Sequence, residues 1–274
     1  MTRTLTWIAS VLCALAFGSP LWWLLTASLR EKDTIFGGGP AGWLSATGWT
    51  LDNYVNAARR AALDVTLLNS LLQVTLIAGA GLLVNAMAAY AFARLDFRGR
   101  DALFSAVVAL IILPIEVLAV PLFFSVRDLG LSGGSAPGLL GLCLPFVAKA
   151  FNIYFLRQQF LSLPDELEEA AVLDGASVWR QFWSVALPSI RPALATVALL
   201  DVLFHWSDFL WPLLLSTRTD ARTVQIGLAN LFTEPPLDWG AILACAVLAT
   251  LPVLLLFRVL QAQLVETDLR VGIR

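Results

Sequence analysis

Residues 161–188 read LSLPDELEEAAVLDGASVWRQFWSVALP, a polar stretch that interrupts an otherwise apolar chain. Ser162 followed by Asp165 is a helix-start signal, and Pro164 suits a first helical turn. Acidic side chains gather where the dipole of such a helix favours anions, at Asp165, Glu166, Glu168 and Glu169. Gly175 is expected to end this helix because glycine readily takes a left-handed conformation.

A second helical pattern follows the glycine. Its predicted apolar stripe consists of Val178, Trp179, Phe182 and Val185, and Pro188 is expected to close it. Small residues near the turn would let another backbone approach closely: Ala170, Ala171, Gly175 and Ala176. The sequence therefore predicts a two-helix hairpin. Two uses remain open: insertion into a cleft on another protein, or packing on the bilayer or on the chain's own helices.

The composition of the whole chain is that of a membrane protein. Hydrophobic residues make up 58% of the 274 and charged residues only 14%, against about 25% charged in soluble domains. Six apolar segments each approach the ~20 residues that a spanning helix needs: 8–29, 67–94, 102–126, 138–156, 193–215 and 241–260. Spanning segments must be helical because lipid cannot satisfy an open backbone. We expect an all-α, polytopic membrane helix bundle in which residues 1–274 form a single transmembrane domain.

Basic residues orient these spans. The connections on one side of the predicted bundle carry more Arg and Lys than those on the other, and the turn Arg94–Arg100 is the strongest marker. Because cytoplasmic connections are enriched in these residues, we expect both termini in the cytoplasm, an outer loop at 30–66 and a cytoplasmic loop at 157–192. The net charge of −2 argues against a nucleic-acid partner.

The polar loop carries particular residues at fixed spacing: Glu-Ala-Ala at 169–171, Asp-Gly-Ala at 174–176, Phe182, Val185, and Leu-Pro at 187–188. This set resembles the signature loop of the permeases of binding-protein-dependent ABC importers. Further segments are similar to the carbohydrate branch of that family, the smaller partner of a paired maltose-type permease: 88–100, 121–123, 128–131, 144–146, 191–193 and 206–213. The chain departs from the family pattern at Ser207, where Asn is usual, and in the tail 264–274, which lacks a glycine-rich end.

The resemblance implies a type I ABC importer permease, with six transmembrane helices and a cytoplasmic coupling helix that docks on an ATPase. It assigns the coupling role to Glu169, Ala170, Ala171, Asp174, Gly175, Ala176, Phe182 and Pro188. It implies a bacterial-type inner membrane and three kinds of partner: ABC ATPase subunits, a second permease forming a heterodimer, and an extracytoplasmic solute-binding protein. The implied function is uptake of a small solute, a carbohydrate, by alternating access.

The chain itself lacks the sequence signature of an ATP site. A phosphate-binding loop needs a lysine after a glycine, and neither Lys32 nor Lys149 follows one. We therefore expect no cofactor in this chain, with ATP and Mg bound by the partner ATPase.

Polar residues within the predicted spans are candidates for a translocation path, because such residues usually face the bundle interior. They are Asn69, Gln73, Glu116, Asp201, His205 and Asp208. The last three are spaced i, i+4, i+7, which predicts one helix face. Either these side chains bind the solute, with Phe204 or Trp206 stacking on a sugar ring, or they join helices, with Lys149 paired to Glu116 or Asp201. An Asp-His-Asp metal site is conceivable, but a single histidine argues against it.

Two other functions compete with the importer. A proton- or ion-coupled secondary transporter could use the intramembrane carboxylates as a relay, yet it gives the polar loop no role and no inverted repeat is visible. An intramembrane serine protease could use Ser132, which stands in a nucleophile-elbow pattern at 130–134. Ser132, however, lies in a predicted outer connection without a strand–turn–helix context. We expect no enzymatic activity.

Overall fold

The structure is a computed structural model that describes residues 2–37, 48–132, 135–216 and 218–271. Within those ranges the regular elements are helical, and the extended pairing is one isolated bridge between Arg30 and Trp49. The α-helices are α1 (Thr2–Ser28), α2 (Asp52–Arg60), α3 (Leu63–Arg94), α4 (Arg100–Leu110), α5 (Ile115–Asp128), α6 (Ser135–Cys143), α7 (Ala150–Leu161), α8 (Glu166–Leu173), α9 (Val178–Gln181), α10 (Leu187–Ser189), α11 (Arg191–Ser207), α12 (Leu210–Leu215), α13 (Val224–Thr233) and α14 (Trp239–Val271). A π-helical segment at Phe182–Ala186 joins α9 to α10. The all-α prediction is confirmed.

Among the described residues, three helices are each long and apolar enough to span a membrane: Arg3–Ser28, Leu63–Arg94 and Trp239–Val259. Three more spans arise when two bent helices are counted together. The pairs are Arg100–Leu110 with Ile115–Asp128 at 105°, Gly138–Phe146 with Ala150–Leu161 at 45°, and Val178–Ser189 with Arg191–Ser207 at 77°. Counting each pair as one span gives up to six, the number that the sequence predicts, although the third pair includes Val178–Ser189 from the stretch that the sequence predicts as a cytoplasmic loop.

Prolines explain the bends, because proline lacks an amide donor and restricts the residue before it. Pro114 has an extended backbone immediately before α5. Pro145 lies in a 3₁₀ segment, Leu144–Phe146, between α6 and α7. Pro192 lies in the first turn of α11, where a missing amide donor costs nothing.

The predicted fifth span, 193–215, is wrong as a continuous helix. Helix α11 ends at Ser207, and Asp208 has an extended backbone, with ψ at 126°. The Asp208 carboxylate then accepts the amide N–H of Trp211 at 3.4 Å and so begins α12. Asp208 therefore does not continue the helix face of Asp201 and His205.

Two further predictions about the loops need correction. Pro188 does not close the second loop helix, because it lies in the first turn of α10. The helical conformation ends only at Ile190. A proline at that position is compatible with a continuing helix. The stretch 30–66, predicted as a loop, contains α2 and the first turn of α3.

One compact unit consists of Met1–Leu68 and Thr223–Pro252. Its buried Asn53 donates hydrogen bonds to the carbonyl oxygens of Ser28 at 2.8 Å and Arg30 at 2.7 Å. These bonds cap orphan carbonyls at the end of α1, so one side chain of α2 fixes the position of that helix terminus.

A buried carboxylate organises the same end of this unit. Asp238 lies 2.7 Å from Lys32 Nζ and accepts the amide N–H of Ala241 at 3.2 Å, at the start of α14. Burial raises the pKa of Asp238, but the Lys32 hydrogen bond and charge, the Ala241 amide and the Arg60 charge together lower it below the usual range. The ionised carboxylate is therefore the form that this end of the unit favours.

The second compact unit consists of Asn69–Arg222 and Val253–Arg274. One of its apolar clusters surrounds the rings of Tyr90, Phe160 and Phe182, which lie 5.2–6.4 Å apart between centroids. A second cluster surrounds Phe146 and Trp211. The first cluster joins α3, α7 and the polar loop, and the second joins α3, α5, α6 and α12.

Close backbone approach at Gly141 yields a test of the fold. A Cβ atom there would collide with the carbonyl oxygen of Leu131 and lie 2.9 Å from Cγ1 of Val126, whereas one at Gly79 would meet nothing within 4 Å. We expect Gly141→Ala to destabilise the protein by about 1–3 kcal/mol. Gly79→Ala should leave stability unchanged or raise it by up to ~1 kcal/mol. Thermal melting of both purified variants in detergent measures the difference, and equal melting midpoints would contradict this packing.

Candidate functional site

The predicted hairpin is confirmed, and we use the word hairpin for residues 162–190. Helix α8 ends at Leu173, and Gly175 follows with a left-handed φ of +76°. The amide N–H of Ala176 returns to the carbonyl of Ala171 at 2.9 Å, which is the arrangement of a glycine-terminated helix. The hydroxyl of Ser177 then accepts the amide N–H of Arg180 and caps α9.

The outer surface of the hairpin is apolar at its tip. Leu173 is 89% exposed and Trp179 is 61% exposed, and Leu167, Val172 and Val178 are exposed as well. Single exposed apolar residues are ordinary on a protein surface, but a contiguous group marks an interaction site. The predicted stripe of the second helix is thus split, because Val178 and Trp179 face outward.

The residues predicted to couple to an ATPase fall into two groups. Most lie at the surface of the hairpin, where Glu169, Ala170, Asp174 and Gly175 are exposed and Ala171, Ala176 and Pro188 are half-buried. Phe182 is only 2% exposed and packs against the ring of Tyr90, 5.2 Å away, in α3. Phe182 therefore holds the hairpin from inside the chain rather than from its outer surface.

A second anchor, which sequence reasoning missed, is Arg94 at the end of α3. Its Nη2 atom donates to the carbonyl oxygens of Phe160 at 3.0 Å and Leu163 at 2.7 Å. Its Nη1 atom donates to the carboxylate of Asp165, and Nε lies 3.3 Å from Oε1 of Glu168 without hydrogen-bond alignment. Sequence reasoning used Arg94 only as a marker of orientation.

The environment of Glu168 is electrostatically mixed. Burial raises the pKa of Glu168 and the nearby Asp165 carboxylate raises it further, whereas the Arg94 charge lowers it, and the net direction is upward. Arg94 thus partly offsets the cost of placing two carboxylates at the start of one helix.

Among the candidate path residues, Asp201 is engaged in an ion pair. Lys149 Nζ lies 2.7 Å from Asp201 Oδ1, and the Asn152 amide donates to Asp201 Oδ2 at 2.7 Å. Asp201 is 2% exposed, and the Lys149 ammonium also lies over the ring of Phe204, 4.8 Å from its centroid. Of the two pairings proposed from sequence for Lys149, the structure contains the one with Asp201.

The other helical candidates lie in different surroundings. The Asn69 amide donates to the carbonyl oxygens of Asp220 at 2.9 Å and Arg222 at 3.0 Å. Gln73 and His205 are buried, and neither the Gln73 amide atoms nor the His205 ring nitrogens find a partner among the described residues. The ring of His205 packs 4.8 Å from that of Phe146.

Two carboxylates border one cavity. Glu116 and Asp208 line it together with the aromatic side chains of Phe146, Phe204 and Trp211. A neighbouring cavity shares Phe146 and Phe204 and reaches Lys149. The six candidates are therefore not one cluster: Glu116 and Asp208 share a cavity, Asp201 pairs with Lys149, and Asn69 binds backbone.

Apolar spans, intramembrane polar groups and an anchored hairpin with an apolar tip define a polytopic membrane permease. The chain belongs to the family of binding-protein-dependent transport system inner membrane components, which matches residues 79–267. The fold agrees with a crystal structure of a bacterial ABC transporter involved in the import of the acidic polysaccharide alginate. That similarity has a TM-score of 0.80 at 22% sequence identity and covers 95% of this chain and 96% of the other.

Several relatives are permease proteins of sugar uptake systems. The diacetylchitobiose uptake system permease protein of Streptomyces coelicolor is 34% identical, over 89% of this chain and 80% of its own length. The trehalose transport system permease protein of Mycobacterium tuberculosis is 34% identical, over 90% of this chain and 88% of its own length. The trehalose/maltose transport system permease protein of Thermococcus litoralis is 30% identical, over 97% of this chain and 95% of its own length. None of these relatives supports the secondary-transporter or the serine-protease hypothesis.

The buried ion pair can be tested by a double-mutant cycle. Lys149→Met leaves the 2%-exposed Asp201 carboxylate without its cation, so we expect this substitution to lower the free energy of unfolding by about 3 kcal/mol. Asp201→Asn should lower the free energy of unfolding by less, because the Lys149 side chain is 23% exposed and can stay hydrated. The double variant should recover most of the loss, because Asn at 201 still accepts from Asn152. Melting midpoints in detergent measure all three, and additive losses in the double variant would contradict a direct pairing.

Proposed function

We propose that this chain is a membrane-spanning subunit of an ATP-driven importer that takes up an oligosaccharide or disaccharide. Family membership supports the transport role, and the sugar follows from the relatives, whose names specify diacetylchitobiose, trehalose and maltose. In this arrangement both termini and residues 157–192 lie in the cytoplasm, and residues 30–66 lie outside. Residues 1–274 act as one transmembrane permease domain.

One observation carries the proposal: the hairpin is fixed at its base by Phe182 and Arg94, yet it exposes an apolar tip. A contiguous exposed apolar group of this kind marks a surface that binds a partner. The partner proposed is an ABC ATPase, which supplies ATP and Mg. Phe182 supports the docking surface through its buried contact with Tyr90. Docking itself is assigned to Glu169, Ala170, Ala171, Asp174, Gly175, Ala176 and Pro188.

The remaining partners follow from the same assignment. A second permease subunit forms the heterodimer, and an extracytoplasmic binding protein delivers the solute. ATP binding moves the docked hairpin, and the permease changes between inward-facing and outward-facing states because the ATPase binds the two states with unequal affinity.

The solute path of this subunit is assigned to the cavity that contains Glu116 and Asp208. Carboxylate oxygens accept hydrogen bonds from sugar hydroxyls, and Phe204 and Trp211 offer flat apolar faces beside them. Asp201 instead stabilises the structure, because its two oxygens are already occupied by Lys149 and Asn152. Asn69, Gln73 and His205 have no assigned contact with the solute in this state.

Docking is tested by placing a charge at the tip. Leu173→Asp should weaken binding to the ATPase by about thirtyfold, the effect of about 2 kcal/mol at a buried contact. Leu129→Asp is the matched control, since Leu129 is also well exposed, at 68%, but lies in the predicted outer connection. Co-purification of the co-encoded ATPase with each tagged variant measures the difference. Equal retention of the ATPase by Leu173→Asp and wild type would refute docking through this tip.

The path assignment is tested by uptake of labelled trehalose, maltose and diacetylchitobiose into cells that express the complete system. Glu116→Gln and Asp208→Asn should each lower uptake of the transported sugar about fivefold, because a neutral acceptor binds a hydroxyl about 1 kcal/mol more weakly than a carboxylate. Asp52→Asn, an exposed acid of α2, is the control. Unchanged uptake in both path variants would remove the cavity from the path, and failure to transport any of the sugars would refute the substrate class.

A further inference from the structure

Arg94 occupies an unusual position between three helices. It is the last residue of α3, and its guanidinium reaches across the connection from α7 to α8. Its side chain is only 12% exposed. Within the described part of the chain, the guanidinium makes its hydrogen bonds and ion pairs with residues 160–168, so one side chain joins the end of α3 to the base of the hairpin.

The chemistry of this junction suits an arginine. The carbonyl oxygens of Phe160 and Leu163 lie at and beyond the C-terminus of α7, where a cation is favoured. The Phe160 carbonyl also accepts the amide N–H of Leu163 at 3.2 Å, so Arg94 adds a second donor there. The carboxylates of Asp165 and Glu168 lie at the start of α8. A planar guanidinium can serve both sets of acceptors at once from fixed directions, whereas an ammonium is a point charge on a flexible stem.

The two anchors of the hairpin hold different parts of it. Phe182 packs on Tyr90 and Phe160 through ring contacts, and it lies beyond Gly175, in the second half of the hairpin. Arg94 binds the connection that precedes α8 and the carboxylates of its first turn. Removal of the Arg94 contacts therefore leaves the hairpin packed at Phe182 but frees the base of α8.

We infer that Arg94 is the positioning residue through which movement of α8 is passed to α3. The inference rests on the proposed function, in which the ATPase moves α8. Helix α3 is continuous from Leu63 to Arg94, and at 1.5 Å per residue a shift at Arg94 reaches Gln73, about 30 Å away, along one rigid element. The hydrogen bonds of Arg94 make α8 and the end of α3 move together.

The consequence is a separation of docking from transport. The hydrogen bonds and ion pairs of Arg94 go to residues 160–168 rather than to Leu173 or Trp179 at the tip, so an Arg94 variant should still bind the ATPase. Without the guanidinium, however, α8 can tilt without displacing α3, so ATP hydrolysis no longer drives uptake efficiently.

The experiment uses the complete importer reconstituted in proteoliposomes, with ATP hydrolysis and sugar uptake measured on the same preparation. Arg94→Gln should retain the ATPase and its hydrolysis, while uptake per ATP falls at least tenfold. Arg94→Lys, which keeps the charge but not the fork of donors, should show a smaller fall. Arg98→Gln is the matched control, because Arg98 is an exposed arginine four residues further along the chain.

A charge swap provides the second readout. Arg94→Glu combined with Glu168→Arg should restore part of the coupling that Arg94→Glu alone removes, a rescue that a general loss of folding would not allow. Unchanged uptake per ATP in Arg94→Gln and Arg94→Lys would overturn the inference, and so would loss of ATPase binding in both. If the wild-type chain itself fails to bind an ATPase, the proposed function fails instead.

Discussion

Lack of water in the hydrocarbon core obliges every backbone amide and carbonyl there to find a partner within the protein. A continuous helix meets that demand by itself, but a bent span does not. Between the 3₁₀ segment that ends at Phe146 and the start of α7, Asn85 supplies the missing partners. Its side chain donates to the carbonyl of Val147 at 3.1 Å and accepts the amide N–H of Lys149 at 2.9 Å.

The same break depends on a glycine one turn earlier in α3. A Cβ atom on Gly81 would lie 3.1 Å from the carbonyl oxygen of Val147, so a larger residue would push α3 away from the bond that Asn85 makes. Lys149, which has an extended backbone immediately before α7, then places its ammonium against Asp201 of α11. The bend, the amide and the ion pair thus form one unit linking α3, α7 and α11. This explains why Asp201 is paired within the protein although its position in a span resembles that of a binding residue.

Local signals were sufficient to predict the number of spans and the hairpin, although not the course of the fifth span. The length of an apolar run fixes whether a helix can cross lipid, and Gly175 ends α8 through its own left-handed backbone. The features that sequence reasoning missed depend on distant residues. The exposure of Trp179 and the burial of Phe182 follow from the position of Tyr90 in α3. The choice of Asp201 over Glu116 as the partner of Lys149 likewise depends on packing between helices, which periodicity does not encode. The end of α11 is a local exception, because the carboxylate of Asp208 accepts the amide N–H of Trp211 three residues later.

The contrast between the two hairpin anchors bears on how such a structure can move. Ring packing around Phe182 is non-directional, so it resists separation of the hairpin from α3 while tolerating rotation. Hydrogen bonds and ion pairs to a guanidinium depend on angle, so Arg94 fixes the orientation of the base of α8. A hairpin held only by rings could turn freely under a force at its exposed tip, and one held only by polar contacts could detach. Under the inferred coupling, the hairpin needs both anchors: a force applied near Leu173 would turn α8 about the ring cluster, and the Arg94 contacts would carry that turn to the end of α3.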